Sequence, residues 1–276
     1  MLPKSMFLCP VCSEGLFFTE QGLGCKNGHR FDRSAAGYVH LLPANKKHSK
    51  QPGDDKIMCS ARNRFLSAGF YAPLCDMLSQ LTVRYTQPDM RILDAGCGEG
   101  YYTSAVYQAA CQKAEQVHLA GIDISKFALK YAAKRLPQAE FAVASSYHLP
   151  LKDNCVDLIL NCFSPMATTE FRRVLKKGGH LLYVVPAPMH LWELKQVLYS
   201  TPYQNKRQTI NYEGFELQDV QTVESTIQLT TPQQIQDLFA MTPYFYKTPK
   251  EGQQALEQLQ QLTVQIAFDI HIFSRQ

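Results

Sequence analysis

Short apolar runs and longer amphipathic stretches alternate along the chain from Met90 to Gln276. Val156–Asn161 is rich in branched apolar residues, which is typical of a strand buried on both faces of a sheet. Ser125–Arg135 repeats its apolar residues every three to four positions, which predicts a helix with one buried face and Ser125 as its N-cap. Strands that alternate with helices predict an α/β fold with a doubly wound, mostly parallel sheet.

The same alternation sets the expected boundaries of the elements. Strands are predicted over residues 91–94, 118–123, 140–144, 156–161, 180–185 and 267–273, with one or two more within 213–230. Helices are predicted over 101–110, 125–135, 171–175, 232–240 and about 250–264. Residues from about 56 to 81 also form a helical pattern, which the segment Gly69–Pro73 interrupts.

A glycine-rich turn, Asp94–Gly100 (D-A-G-C-G-E-G), joins the first of these strands to the following helix. Glycines let the backbone approach a ligand closely, and the first N–H groups of the helix face that ligand. The next strand ends at Asp123, whose carboxylate can accept hydrogen bonds from both hydroxyls of an adenosine ribose. The spacing G-x-G-x-G, unlike the G-x-G-x-x-G of nicotinamide sites, indicates S-adenosylmethionine (SAM). A glycine-rich turn without a ligand is the alternative.

Further polar residues follow the ends of neighbouring predicted strands. Ligands of doubly wound sheets bind at the carboxyl ends of the strands, so residues at this edge are the candidates for the cofactor site. The candidates found in this way are Gly96, Gly98, Glu99, Asp123, Ser145 and Asn161.

Composition bounds the class of protein. A chain of 276 residues with 45% hydrophobic and 19% charged residues suits a large globular domain with a small additional module. No apolar run approaches the ~20 residues that a membrane span needs, and Pro3 interrupts the N-terminus, so neither a membrane protein nor a signal peptide is predicted. Nine cysteines, several of them inside predicted helices or strands, favour the reducing cytoplasm over a disulfide framework.

Four metal-ligating residues lie near the N-terminus in the pattern C-x2-C-x12-C-x3-H. They are Cys9, Cys12, Cys25 and His29. Three thiolates and one imidazole form a closed set suited to structural zinc, with no open position for a catalytic water. A module this small could hardly fold without such a metal. A chance spacing of reduced cysteines is the alternative, and a redox-active pair is less favoured because no βαβ pattern surrounds it.

The positive charge is concentrated at the start of the chain. Residues 1–72 contain 10 Lys or Arg and 5 Asp or Glu, whereas residues 73–276 contain 18 and 19. A basic N-terminal region that includes the polar segment Asn45–Asp55 fits a polyanionic partner such as nucleic acid. A solvated basic face is an equally good explanation of the charge taken alone.

The order of these motifs resembles the RlmA-type methyltransferases, which methylate N1 of a guanine in 23S ribosomal RNA. The resemblance is carried by C-P-V-C, C-x3-H-x-F-D, G-Y-V-x-L-L-P, G-F-Y, D-A-G-C-G-E-G-Y-Y-T, G-I-D-I-S-K, A-S-S and P-x-H-L-W-E-L-K. It covers nearly the whole chain and is least close at Asn161–Pro165. It implies a class I SAM-dependent methyltransferase domain, Rossmann-like, behind a zinc-ribbon-like module. It also implies a homodimer whose cleft takes an RNA hairpin.

Carried over by position, the resemblance assigns zinc to Cys9, Cys12, Cys25 and His29, and cofactor contacts to Tyr71, Gly98, Glu99 and His190. The expected organisation is a zinc module over 1–43, a basic loop and helical linker over 44–89, and the methyltransferase domain over 90–276.

Methylation of guanine N1 requires a base to remove its proton, because N1 is protonated near neutral pH. The acidic residues at the strand ends are expected to bind cofactor, and His190 could serve as base or as cofactor ligand, so the sequence identifies no catalytic residue. Two other functions remain open. One is a methyltransferase of small molecules or proteins with a purely structural zinc; the other is an RNA-binding protein with an inactive methyltransferase domain, which the intact Gly96, Gly98 and Asp123 disfavour.

Overall fold

The computed structural model describes residues 3–43, 53–207 and 210–276, which form a small and a large β-sheet. Lys46, Lys47 and Lys50 of the predicted basic loop lie outside these residues. The first strands are β1 (Lys4–Leu8), β2 (Gly15–Phe18), β3 (Gly22–Gly24), β4 (Arg30–Asp32), β5 (Val39–His40) and β6 (Asp89–Ala95). The later strands are β7 (Gln116–Asp123), β8 (Glu140–Val143), β9 (Val156–Cys162), β10 (Leu175–Pro186), β11 (Phe215–Leu229) and β12 (Leu262–Arg275).

Helices connect most strands of the large sheet. They are α1 (Lys56–Ser67), α2 (Ala72–Tyr85), α3 (Tyr101–Cys111), α4 (Lys126–Arg135), α5 (Thr168–Val174), α6 (Trp192–Leu198), α7 (Pro232–Ala240) and α8 (Lys250–Glu257), with a short 3-10 helix at Pro243–Tyr246. In the described part of the chain, no helix has both the length and the apolar character needed to cross a bilayer.

The large sheet has the order β11-β12-β10-β9-β6-β7-β8-β5. Strands β5 to β10 within it pair in parallel, whereas β12 pairs antiparallel with both β10 and β11. The order changes direction between β6 and β9, which is where ligands of doubly wound sheets bind. The predicted class I methyltransferase fold with a mostly parallel sheet is therefore confirmed.

The four-stranded N-terminal sheet packs against this large sheet. Glu140 at the start of β8 accepts hydrogen bonds from the Ser5 hydroxyl and from the Met6 N–H, and the Leu8 N–H donates to the Pro150 carbonyl. Apolar residues of both sheets form one continuous buried cluster, in which Phe7 is 1% exposed. The small sheet is therefore supported by the large one as well as by its own residues.

The end of the chain differs from the prediction. The last helix ends at Glu257 instead of about residue 264, and the final strand begins at Leu262 instead of Ala267. Apolar residues recur at every second position from Leu262, and this part of β12 pairs with β11, which is one continuous strand. The predicted helix took in the first residues of a strand whose apolar positions alternate with polar Gln and Thr.

Candidate functional site

The glycine-rich turn leaves β6 with left-handed backbone at three glycines. The φ angles of Gly96, Gly98 and Gly100 are 89°, 56° and 81°, a region that side chains other than glycine rarely adopt. The N–H groups of Gly96 and Cys97 both donate to the Ile122 carbonyl at 2.9 Å, which ties the turn to the end of β7. The turn is thus held in place before any ligand binds.

The three glycines have different surroundings. A Cβ atom on Gly96 would lie 2.4 Å from the Ser164 Oγ, and one on Gly100 would lie 2.8 Å from the Ala132 Cα. A Cβ on Gly98 would meet no heavy atom within 4 Å. Gly96 and Gly100 are therefore required by the packing of the protein itself, whereas the backbone at Gly98 faces open space where a ligand can approach.

Asp123 lies directly beside this turn at the end of β7. Its Oδ2 accepts a hydrogen bond from the Gly98 N–H at 2.9 Å, and its Oδ1 accepts one from the Ser125 N–H at 2.7 Å. A carboxylate has about four acceptor positions, so these two bonds leave capacity for two more donors. The ribose hydroxyls of an adenosine are donors of this kind.

Three carboxyl groups cluster around the turn. Asp94 is 2% exposed, and burial raises its pKa to about 7, with further increases from the neighbouring Asp123 and Glu99 and an opposing decrease from the Thr103 hydroxyl. Burial also raises the pKa of Glu99 and of Asp123, and the Arg62 guanidinium counteracts this increase at both. A site with this excess of buried acidic groups favours a cationic ligand, such as the sulfonium and ammonium groups of SAM.

Tyr71 and His190 are 119 positions apart in the sequence and meet in the structure. The Tyr71 hydroxyl is 3.4 Å from the His190 Nε2, while the His190 Nδ1 accepts a hydrogen bond from the Ala267 N–H at 3.2 Å. His190 is therefore neutral, with its proton on Nε2. Burial lowers its pKa to about 3, and the nearby Lys195 lowers it further. With one nitrogen occupied as acceptor and the other protonated, His190 is better suited to orient a ligand than to remove a proton.

Asn161 and Ser145 lie after neighbouring strands. The Asn161 amide donates to the carbonyls of Ala95 and Pro165 at 3.2 and 3.3 Å, so it joins the turn after β9 to the glycine-rich turn. Ser145 accepts a hydrogen bond from the Tyr147 N–H at 3.3 Å. The geometry thus links Asn161 directly to the glycine-rich turn, whereas the hydrogen bond of Ser145 is local.

Two buried polar atoms near the turn lack partners. The Asn161 Oδ1 and the Tyr102 hydroxyl have no hydrogen-bond partner among the described residues. A buried polar group without a partner is costly, and ligands commonly supply the missing bond. Together with the open backbone at Gly98, these atoms indicate that the residues present fit SAM.

The sequence patterns did not predict a role in the site for Tyr102, Arg62 or Phe163. Tyr102 follows the glycine-rich turn by two positions, and that proximity was the available signal. Arg62 is half-buried, forms an ion pair with Asp54 and donates to the Met241 carbonyl at 3.0 Å. Long-range contacts of this kind carry no local pattern.

The predicted zinc ligands come together at the turns of the small sheet. Their ligand atoms all lie within 4.8 Å of one another. The Cys9 and Cys25 sulfurs are 3.6 and 3.3 Å from the His29 Nδ1, and the Cys12 sulfur is 3.7 Å from the Cys25 sulfur. Around a tetrahedral zinc ion, neighbouring ligand atoms of these types are roughly 3.5–3.8 Å apart. The four residues therefore fit a closed structural zinc site.

Comparison with known proteins adds a second line of support. Residues 7–50 match the sequence model of a zinc-ribbon family described as RlmA, N-terminal, and residues 86–260 match a methyltransferase domain. A 23S rRNA (guanine(748)-N(1))-methyltransferase of Streptomyces fradiae is 38% identical over 69% of this chain and 66% of that protein. A protein of Bacillus subtilis (strain 168), provisionally named a 23S rRNA (guanine-N(1)-)-methyltransferase, is 33% identical over 97% of this chain and 96% of its own.

A solved structure supports the fold of the larger domain. A provisionally named type II methyltransferase from Anaeromyxobacter dehalogenans has a TM-score of 0.51 at 17% identity, covering 72% of this chain and 95% of that one. The fold, the glycine-rich turn and the zinc ligands thus define a SAM-dependent methyltransferase with an N-terminal zinc ribbon. Within that class, the chain belongs to the RlmA-type family of 23S rRNA (guanine-N1)-methyltransferases.

Proposed function

We propose that this protein transfers the methyl group of SAM to N1 of a guanine in a hairpin of 23S rRNA. The similarity to the Bacillus subtilis relative carries this proposal, because it extends over 97% of the chain and includes the zinc ribbon as well as the methyltransferase domain. A general methyltransferase of small molecules would need only the second of these parts. The proposed division is a zinc module over 1–43, a basic loop and helical linker over 44–89, and a methyltransferase domain over 90–276.

We assign the nucleoside half of SAM to the part of the site at the end of β7. The Asp123 carboxylate would accept the ribose hydroxyls with the acceptor capacity that its bonds to Gly98 and Ser125 leave free. The open backbone at Gly98 would let the cofactor approach the first turn of α3. Ser145, at the carboxyl end of the adjacent β8, would contact the cofactor on the same side.

We assign the methionine half to the side lined by Tyr71, Glu99, Asn161 and His190. When bound, SAM supplies a methyl group attached to a sulfonium, which is transferred by in-line displacement. Glu99 and the aromatic face of Tyr71 favour positive charge there, and His190 in its neutral form adds no repulsion. These residues would orient the cofactor, and orientation alone can supply a large share of the rate of a displacement reaction.

The polyanionic substrate is supported by the charge of the N-terminal quarter. Three of its basic side chains are already paired, since Arg62 contacts Asp54, Arg64 contacts Asp237 and Lys26 contacts Glu14. We therefore propose that RNA docking relies chiefly on the lysines of the segment Asn45–Asp55 and on the surface of the zinc ribbon. Binding through phosphates would make the affinity strongly dependent on salt.

Two further parts of the proposal concern assembly and location. We propose a homodimer whose cleft holds the RNA hairpin, which rests on the family resemblance, and light scattering of the purified protein tests it. We propose that the protein acts in the cytoplasm, where its rRNA substrate is found and where its nine cysteines, none of which forms a disulfide in the described part of the chain, remain reduced.

The function is tested with tritiated SAM and transcripts of 23S rRNA, followed by nucleoside analysis of the labelled product. The expected product is 1-methylguanine in a hairpin of 23S rRNA, with no label in 16S rRNA as the matched control. Mass spectrometry of rRNA from cells that lack the gene should show the same nucleotide unmethylated. Label in a small metabolite or protein, and none in rRNA or ribosomal subunits, would show that the substrate is of another class.

A further inference from the structure

Phe163 is an exposed aromatic residue in the turn that follows β9. Its side chain is 45% exposed, and its φ angle of 56° lies in the left-handed region. That conformation is strained for a bulky residue and persists only where the surrounding structure enforces it. An exposed phenylalanine contributes little to the core, so packing alone does not account for a strained aromatic residue at this position.

The turn that carries Phe163 is held on three sides. The Phe163 N–H donates to the Val184 carbonyl of β10 at 3.1 Å. The Ser164 side chain lies against Gly96, and the Pro165 carbonyl accepts a hydrogen bond from the Asn161 amide at 3.3 Å. The ring of Phe163 is therefore presented at a fixed place, beside the glycine-rich turn and at the carboxyl edge of the sheet.

The ring of Phe163 is the exposed end of a row of aromatic rings. Its centroid is 5.6 Å from that of Phe268, which in turn lies 4.9 Å from Tyr71 and 4.6 Å from His190. The centroid of the Phe163 ring also lies 6.4 Å from that of Tyr102. The four inner rings pack around the proposed methionine side of the cofactor site, and Phe163 carries this aromatic surface out to the solvent.

We propose that Phe163 is the platform on which the accepting purine base stacks during methyl transfer. This inference rests on the proposed function and adds the residue that receives the base. A base that is methylated at N1 must leave its pairing and stacking partners, and an aromatic side chain replaces the stacking that it loses. The exposed ring lies next to the residues proposed to orient the transferred methyl group, so a base stacked on it is held beside the cofactor.

The test compares variants of Phe163 that separate the ring from the backbone. Phe163→Leu and Phe163→Gly remove the ring, and Phe163→Gly also relieves the left-handed strain, whereas Phe163→Tyr and Phe163→Trp keep an aromatic face. With 23S rRNA transcripts and tritiated SAM, kcat/KM should fall roughly 5- to 150-fold in the first pair, the usual range for loss of one base–aromatic stack. The second pair should stay within about threefold of the wild type.

Two measurements show whether the effect is specific to the substrate. Calorimetry should give an unchanged SAM affinity for all four variants. Thermal melting should give nearly unchanged midpoints for the Leu, Tyr and Trp variants, and an unchanged or higher midpoint for Phe163→Gly, which relieves the left-handed strain. Leu217→Ala is a matched control, because Leu217 is 43% exposed and lies near the start of β11, at the opposite end of the sheet. It should leave methylation unchanged.

The outcomes distinguish this inference from the proposed function. If wild-type protein transfers no label to rRNA, the proposed function fails and this inference fails with it. If the wild type methylates rRNA and Phe163→Leu or Phe163→Gly does so equally well, only the inference is overturned. A loss of SAM affinity in Phe163→Leu that accounts for the loss of activity would also overturn it, because the ring would then serve the cofactor.

Discussion

Asp94→Asn tests whether the buried charge of Asp94 lowers the stability of the free protein and strengthens the binding of its cofactor. Asp94 is 2% exposed at the end of β6, and its only polar side-chain partner among the described residues is the Thr103 hydroxyl, which donates to it at 2.6 Å. Its neighbours Glu99 and Asp123 are acidic as well. An asparagine keeps the shape of the side chain and the bond to Thr103, and it removes the buried charge.

The sign and the size of the effect follow from the raised pKa of Asp94. Below the ordinary pKa of 3.8, the group is protonated in both the folded and the unfolded chain and has no effect on stability. Between pH 3.8 and about pH 7, Asp94 is ionised in the unfolded chain but protonated in the folded one. The free energy of unfolding therefore falls by about 1.36 kcal/mol for each unit that the pH rises. The interval is roughly three pH units, so the wild type loses up to about 4 kcal/mol by pH 8.

The assay is urea unfolding of wild type and Asp94→Asn, without SAM, at several pH values from 5.5 to 8. The wild type should lose stability relative to the variant as the pH rises, and the difference should level off above pH 7. The stability that Asp94→Asn gains at pH 8 is reduced by about 1–3 kcal/mol, because the new amide NH2 group is buried without an evident acceptor. The slope with pH is independent of that constant cost. Equal slopes for the two proteins would refute the reasoning.

The same variant should bind SAM more weakly, because the cationic cofactor loses a nearby negative charge. We expect a loss of about tenfold at pH 8 and a smaller one at pH 6, where Asp94 is largely protonated in the wild type. Asp157→Asn is a suitable control, since Asp157 is also buried but lies at the amino end of β9, where it accepts hydrogen bonds from the Arg91 backbone N–H and the Lys176 ammonium. It should leave SAM affinity unchanged.

Three other changes test the metal, the cofactor and the RNA. Cys12→Ser should remove zinc, lower the melting temperature and weaken SAM binding without abolishing it, whereas zinc-free wild type that melts normally would contradict a structural metal. Asp123→Ala should weaken SAM binding by roughly 1–3 kcal/mol in calorimetry, and unchanged SAM affinity with tighter NAD binding would reverse the choice of cofactor. Replacing Lys46, Lys47 and Lys50 with Gln should lower the log–log salt slope of RNA binding by about 0.7–0.9 per lost phosphate contact and leave SAM affinity unchanged; an unaltered slope would exclude a role in docking.

The parts of the protein that could be predicted from the sequence depend on local spacing. The strand, glycine-rich turn and helix from Arg91 to Ala110 form one continuous motif, and the structure has β6 and α3 where they were expected. The segment Cys9–His29 also contains all four proposed zinc ligands. They were predictable because each pair of ligands lies on one short turn. Buried parallel strands were also recognisable from local sequence, because a few consecutive branched apolar residues are enough to distinguish them from amphipathic helices.

The remaining features depend on contacts between distant positions. Tyr71 meets His190, and Ser5 meets Glu140, across 119 and 135 residues. No periodic pattern connects such pairs; only the family resemblance indicated the first, and the second was not foreseen. The left-handed backbone of Phe163 is a further example, because the turn is shaped by bonds to β10 and to Asn161 instead of by a glycine.

Arg173 at the amino end of the large sheet and the acidic cluster at its carboxyl end differ in how well their charges are paired. At the amino end, Arg173 donates to Glu170, Asp153 and two backbone carbonyls, so its guanidinium is both ion-paired and hydrogen-bonded within the protein. At the carboxyl end, buried acidic groups repel one another, the Tyr102 hydroxyl has no partner among the described residues, and Phe163 is strained. Each of these costs stability in the free protein, and a bound cation with donors and acceptors of its own would offset the first two. Cofactor binding should therefore raise the melting temperature, by more at pH 8 than at pH 6, because the repulsion between ionised carboxylates is greatest where the cofactor relieves it.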